Sequence, residues 1–383
     1  MLLSKAKSGD SRVFQVMKSF AYLKEKFAHL SAPKKAIVVG LFLILIGVSA
    51  WAGYLVGAKK LESLDQAISP KGKLISGKPE ETRIANPITG VLYPKKEAEV
   101  WQNRVPLAVM VENSTSARPQ KGLSKADIVY EALAEGDITR FVAVFLTNST
   151  QMGPVRSARE YYFDWAVEYK AAYAHWGGNE YVRSLAGKTF GAKDLDQFAI
   201  GTAAFYRLPP NCRSEHCGFS HTDKLWEVST KRNVNSTVAI ESWKFKDDTP
   251  VSPATHSTIT VGLKGAYAVR WDYDATTNTY KRVNGGQIHM DSEHNVQISV
   301  KNVVIAFLNY SGLKEVTPKV FNRDVQTVGS GAAKLFRDGT IIEGSWKKDS
   351  RDARTKFFDA AGKEVEFNRG QIWMEMIPVG TAV

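Results

Sequence analysis

The run Gly153-Pro-Val-Arg-Ser-Ala-Arg159 carries two guanidinium groups three residues apart. Inside it, Ser157-x-x-Glu160 has the pattern of a capping box, which predicts that a helix opens at Ser157. Arg156 then immediately precedes the N-cap and Arg159 falls in the first turn. Free backbone N–H groups and the positive end of the helix dipole favour anions there and disfavour cations. Two arginines that break this local rule point to an anionic ligand or to a carboxylate close by. Arg118 and Arg140 follow the ends of expected strands and are candidates for the same place. The structural alternative pairs these arginines with Glu112, Glu131, Glu135 or Asp137.

Three further constellations could do chemistry. In Ala174-His-Trp-Gly-Gly-Asn179, His175 suits proton transfer and Trp176 suits stacking on a sugar ring; a core Trp and a satisfied His are the alternative. Cys212, His216, Cys217 and His221 are metal-ligand types, but four ligands within ten residues fit no common zinc spacing. Two cysteines so close together in an exported chain are read as one loop disulfide, with no metal. His289, Asp291 and Glu293 alternate, so an extended strand puts them on one face, as a solvated face, a weak cation site or an acid/base group.

The elements that must hold these residues fall into two patterns. From 86 to 245, buried strands are expected at 107–111, 128–133 and 141–146. The helix after Ser157 has Tyr162, Trp165, Ala166, Tyr169 and Tyr173 on its apolar face. From 255 to 383 the period is two, with turn signals such as Asn284-Gly-Gly286 and Asp338-Gly339 between short strands. The expected class is α+β: an α/β domain at 86–245 followed by a mostly antiparallel β domain at 255–383.

Ahead of them, residues 36–58 are 23 consecutive residues without a charge, flanked by Lys34-Lys35 and Lys59-Lys60. About 20 such residues cross a bilayer as a helix. Trp51 and Tyr54 suit an interfacial aromatic belt. The apolar run is too long and starts too late for a cleaved signal peptide, so it is read as a signal anchor. Residues 1–35 hold eight Lys/Arg against two acids, half of the net +12 of the whole chain. A basic tail beside an apolar span points to anionic lipid headgroups and away from nucleic acid. Within it, residues 13–30 have the period of a basic amphipathic helix. Lys/Arg counts on the two sides of the span nearly tie. The short basic tail favours an N-terminus inside and the domains outside, with residues 59–85 as the linker.

Several motifs in fixed order then carry a resemblance. They are Arg118-Pro-Gln-Lys-Gly-Leu-Ser-Lys-Ala-Asp-Ile-Val-Tyr-Glu131, Ile138-Thr-Arg-Phe141, the 153–159 run, His175-x-Gly-Gly178, Phe336-Arg-Asp-Gly-Thr-Ile-Ile-Glu-Gly-Ser-Trp346 and Gly370-Gln-Ile-Trp373. Over about residues 86–380 the chain resembles the YerB-like family of extracytoplasmic, lipoprotein-type bacterial proteins. The resemblance implies two outer domains of no assigned biochemical role, and it supplies no catalytic residue to carry over. The chain departs from the family pattern in having an apolar span where many members carry a lipidated cysteine, and in an insert at 211–218. His221 matches the histidine that follows this place in the family.

A second, looser similarity is to the LytR-CpsA-Psr envelope enzymes, which would give Arg118, Asp127, Arg156 and Arg159 roles around a lipid pyrophosphate. The leading expectation is a membrane-anchored envelope protein that binds an anionic or glycan ligand near Arg156, Arg159 and His175. Its expected partners are the bilayer and an envelope glycan or protein. No cofactor is expected, and a divalent cation enters only with the enzyme alternative.

Overall fold

The computed structural model describes residue 31 and residues 82–234, 239–318 and 320–383. The apolar span and nearly all of the expected basic tail and linker lie outside the described residues. No described helix is long and apolar enough to cross a membrane.

The described chain is largely β with few helices. Its centre is one ten-stranded mixed sheet. In chain order its strands are β1 (Leu107–Glu112), β2 (Ile128–Leu133), β3 (Thr139–Phe145), β4 (Ala172–His175), β5 (Asp194–Asp196), β6 (Asn302–Leu308), β7 (Gly329–Arg337), β8 (Thr340–Lys348), β9 (Lys356–Asp359) and β10 (Ile372–Pro378). Their spatial order is β9-β8-β7-β6-β10-β2-β3-β1-β4-β5. The last strand, β10, lies between β6 and β2 and is parallel to both. The change of period near 245–255 is therefore not a break in the sheet: the five strands of the second segment lie together on one side and the five of the first on the other, joined at the β10–β2 pair.

Alternate residues of the strands feed two separate cores. Ala108, Met110, Tyr130, Val142, Val304 and Met374 point into one. There they meet Tyr162 and Trp165 of helix α2 (Glu160–Val167) and Val182 of α3 (Glu180–Phe190), where α1 is Lys95–Gln102. Leu107, Val109, Phe141, Val303 and Trp373 point into the other. That face is covered by α5 (Thr222–Lys231), where α4 is Gln197–Ile200, and by a smaller antiparallel sheet from residues 258–300. Burial on both faces explains why these strands read as unbroken apolar runs and not as alternation.

The helix expected from Ser157 begins later. Arg159 is the N-cap of α2, and it makes no side-chain cap hydrogen bond. Residues 155–158 are held extended instead. Val155 N donates to Gly218 O, Arg156 N to Met110 O and Ala158 N to Gly177 O. Backbone groups committed to these neighbours cannot start a helix, so the capping-box pattern is overridden by tertiary pairing.

Candidate functional site

The arginines singled out from sequence all find protein partners, but of different kinds. Arg156 Nε contacts the buried Glu112 carboxylate, and its Nη2 lies 2.7 Å from Glu215 Oε2. Arg159 forks onto Glu135, with Nη2 donating at 2.9 Å. Arg140 reaches the same Glu135 at 3.5 Å. Burial opposes ionisation of Glu135, but the bonded Arg159 and nearby Arg140 hold its carboxyl down at about 2. Three arginines thus meet three glutamates, and the array is neutralised from within the chain.

Glu215 sits on a loop closed by the Cys212–Cys217 disulfide. The next residue, His216, approaches Ser114 Oγ at 3.3 Å and Glu112 at 3.6 Å. No cluster of metal-ligating side chains occurs among the described residues.

His175 is fully buried, with Nδ1 at 2.8 Å from Gly177 O and Nε2 at 2.9 Å from Asp194. Trp176 packs edge-on to Phe205 beneath the Arg207 guanidinium. His221 caps α5 by accepting from Asp223 N. Asp127 is buried and accepts from Leu146 N at 2.6 Å and Asn86 Nδ2 at 3.0 Å; burial pushes its carboxyl up to about 6. No hydrogen bond or ion pair among the described residues joins Arg118, Asp127, Arg156 and Arg159 to one another. The constellation that a lipid-pyrophosphate site would need is not assembled by these contacts.

Arg118 differs from the other three. It donates only to backbone carbonyls and one side-chain amide: Nη1 to Ala266 O at 2.7 Å, Nη2 to Asn113 O at 3.0 Å, and Nε to Asn113 Oδ1 at 3.1 Å. The Tyr267 ring lies 5.1 Å from its charge. Among the described residues no carboxylate lies within ion-pairing distance of it. Arg118 lines a cleft of about 460 Å³ together with Pro119, Asn284, Ile288, His289 and Met290.

A buried polar network forms the floor of this cleft and fixes its donors and acceptors. Arg282 bonds Glu131 through Nη2, and its Nη1 donates to His289 Nδ1 at 2.7 Å. A guanidinium cannot accept, so Nδ1 is bare and His289 carries its proton on Nε2, facing Gln120 Oε1 at 2.9 Å. Burial and the charge of Arg282 push the imidazole pKa well down, which keeps it neutral. Gln120 Nε2 and Asn284 Nδ2 both donate to Asn113 Oδ1, each at 2.9 Å. Asn113 Nδ2 in turn donates to Glu131 and Thr139. This chain of donors fixes the Asn284 amide with its nitrogen inward. Its Oδ1 is buried without a protein donor among the described residues.

The hairpin Asn284-Gly-Gly-Gln287 brings the second segment onto the first. Gly285 has φ +60°, and a Cβ there would lie 2.4 Å from Ala266 O, the carbonyl that accepts Arg118. Asp291 and Glu293 extend the same clasp. Asp291 accepts from Gly122 N and Ser124 N, and Glu293 pairs with Lys121 at 2.9 Å. His289 and Asp291 are therefore buried and not on a solvated face, while Glu293 stays exposed. They face residues 120–124 of the motif that begins at Arg118.

Sequence reasoning found Arg118 and His289 but not their convergence, and it missed Asn113, Arg282 and Asn284 as members of a site. Arg282 sits between Lys281 and Val283 in a short strand, and a Lys-Arg pair reads as solvated. Only the tertiary placement of Glu131 explains why it is fully buried.

The family model described as "Protein of unknown function (DUF3048) N-terminal domain" matches residues 88–235, and "Protein of unknown function (DUF3048) C-terminal domain" matches residues 259–374. The chain is 30% identical over 303 residues to "Putative lipoprotein YerB" of Bacillus subtilis (strain 168), spanning 77% of this chain and 87% of that protein. The crystal structure of the YerB protein from Bacillus subtilis matches with a TM-score of 0.64 at 27% identity, covering 77% of this chain and 97% of that one.

Proposed function

The chain belongs to the YerB-like DUF3048 family, and from that premise we propose that it is a membrane-anchored, extracytoplasmic binding protein of the cell envelope that holds an anionic ligand in the cleft at Arg118. The name of its relative as a lipoprotein supports an envelope location. So do the uncharged 36–58 span behind a basic tail and the disulfide, a bond that persists in oxidising compartments. Under this reading the 36–58 span does the anchoring that a lipidated cysteine does elsewhere.

The observation that carries the ligand site is the contrast among arginines. Arg156 and Arg159 are already neutralised by glutamates, whereas Arg118 holds its charge on carbonyl dipoles at the edge of a cleft. A desolvated cation without a counter-ion gains most from an incoming anion. Titration calorimetry of the full chain in detergent, with acetate, benzoate and inorganic phosphate, tests it. Saturable binding of one of these anions is expected, lost in Arg118→Gln and kept in Arg156→Gln. Equal binding by Arg118→Gln, or no binding of any anion, sinks the reading.

A further inference from the structure

Three features of the cleft constrain what fits it beyond a charge. Arg118 has used one N–H on each terminal nitrogen, for Ala266 O and Asn113 O. The second N–H on each is left, the pair with which a guanidinium takes a carboxylate in a fork. Asn284 Oδ1 is a buried acceptor with no protein donor among the described residues, so a ligand here must bring an N–H or O–H. Arg118 Nε and Asn284 Nδ2 both bond Asn113 Oδ1, so these two side chains lie within about 6 Å of each other. Carboxylate and donor are therefore sought within one small ligand. Besides Thr115 and Gln287, the remaining wall is apolar, with Pro119, Met290 and a largely exposed Ile288.

We propose that the cleft recognises an N-acyl α-amino acid unit with a free carboxylate and an apolar side chain, either as a small molecule or as the last residue of a peptide. The carboxylate takes the free fork of Arg118. The adjacent amide N–H donates to Asn284 Oδ1. The side chain packs on Ile288 and Met290. A phosphate monoanion meets the first requirement alone, and a fatty acid meets the first and third. Of the three ligands, the acylated amino acid alone meets all of the requirements. This inference rests on the Arg118 cleft being an anion site.

The test is calorimetry on the full chain in detergent with four probes: N-acetyl-leucine, N-acetyl-leucinamide, 4-methylpentanoate and inorganic phosphate. N-acetyl-leucine is expected to bind about tenfold or more tighter than the amide, which lacks the charge, and than 4-methylpentanoate, which lacks the N–H. Asn284→Leu is expected to abolish the advantage over 4-methylpentanoate. Ile288→Ser, at an exposed position that folding does not depend on, is expected to erase the preference for N-acetyl-leucine over N-acetyl-alanine. Equal binding of N-acetyl-leucine and 4-methylpentanoate, or binding of phosphate alone, overturns this proposal while leaving an anion cleft in place. Binding of none of the four overturns both.

Discussion

Beneath the cleft, one arginine serves two glutamates, and the two cannot be equivalent. Arg282, Glu131 and Glu375 are all fully buried, with Arg282 surrounded by Phe141, Trp271 and Trp373. Glu131 takes the direct bond to Arg282 and the donors Thr139 and Asn113. Glu375 accepts from Trp271 Nε1 at 3.0 Å, approaches Arg282 at 3.9 Å and meets the Glu131 carboxyl. Burial and the neighbouring Glu131 charge push its pKa well up, toward the neutral acid. Glu375→Gln, which swaps one neutral group for another, is expected to change stability by less than about 1 kcal/mol. Glu131→Gln strands Arg282 and is expected to cost about 3–5 kcal/mol; urea denaturation of both variants checks the asymmetry. Asp127 gives a pH signature. Its folded pKa of about 6 lies above its unfolded value, so its contribution is complete below about pH 4 and is lost as pH rises through 6. A shift of about two units corresponds to about 3 kcal/mol. Denaturation at pH 4.5 and 7.5 is expected to show this loss in the wild type but not in Asp127→Asn. Of these residues the sequence displayed identity but not state, because desolvation and shared charge are properties of the folded neighbourhood.

At the scale of elements, legibility followed how local the determining contacts are. The strand at 128–133 is read from its apolar run with the bounds it has in the structure. The paired strands Tyr310–Thr317 and Val320–Val325 escaped notice. They form a two-stranded ribbon outside the central sheet, and the first of them is mostly exposed. Nothing in such a segment imposes a hydrophobic period. The loop of the Cys212–Cys217 disulfide shows how a short element acts on others. It seats Glu215 on Arg156 and His216 against Ser114, directly before the Thr115–Ala117 turn that leads to Arg118. A closed loop this short restricts the unfolded chain by about 2 kcal/mol. The Cys212→Ser/Cys217→Ser double variant is expected to melt lower by that amount. Thiol labelling of the native wild type without reductant is expected to find no free cysteine. An unchanged melting temperature would mean that the loop is held by its ion pairs alone.

For the whole molecule, the feature hidden from sequence is that β10 closes the N-terminal part of the sheet. Patterning identified a strand near 371–377, but no local signal says that it runs parallel to β2, more than two hundred residues away. That pairing joins Ile372 to Ile128 and continues to Met376 beside Ala132. It sets both cores at once: Trp373 enters the cluster with Phe141 and Trp271, and Met374 the cluster with Tyr130 and Tyr162. Glu168 of the first segment is equally committed, buried against Lys348 Nζ at 2.9 Å and Thr355 N at 2.9 Å in the second. A chain ending at 245 would leave β2 as an unpaired, largely apolar edge and Glu168 as a buried carboxylate without its cations. Exposed apolar edges of this kind associate with other chains. Residues 82–245 alone are therefore expected to be insoluble or unfolded, and residues 246–383 alone to lose β2, one of the two parallel partners of β10. Co-expression is expected to restore a soluble 1:1 complex with the far-ultraviolet spectrum of the intact chain. A monomeric 82–245 fragment with a cooperative melt would mean that the sheet is divisible at β2, and that the two matched segments fold independently.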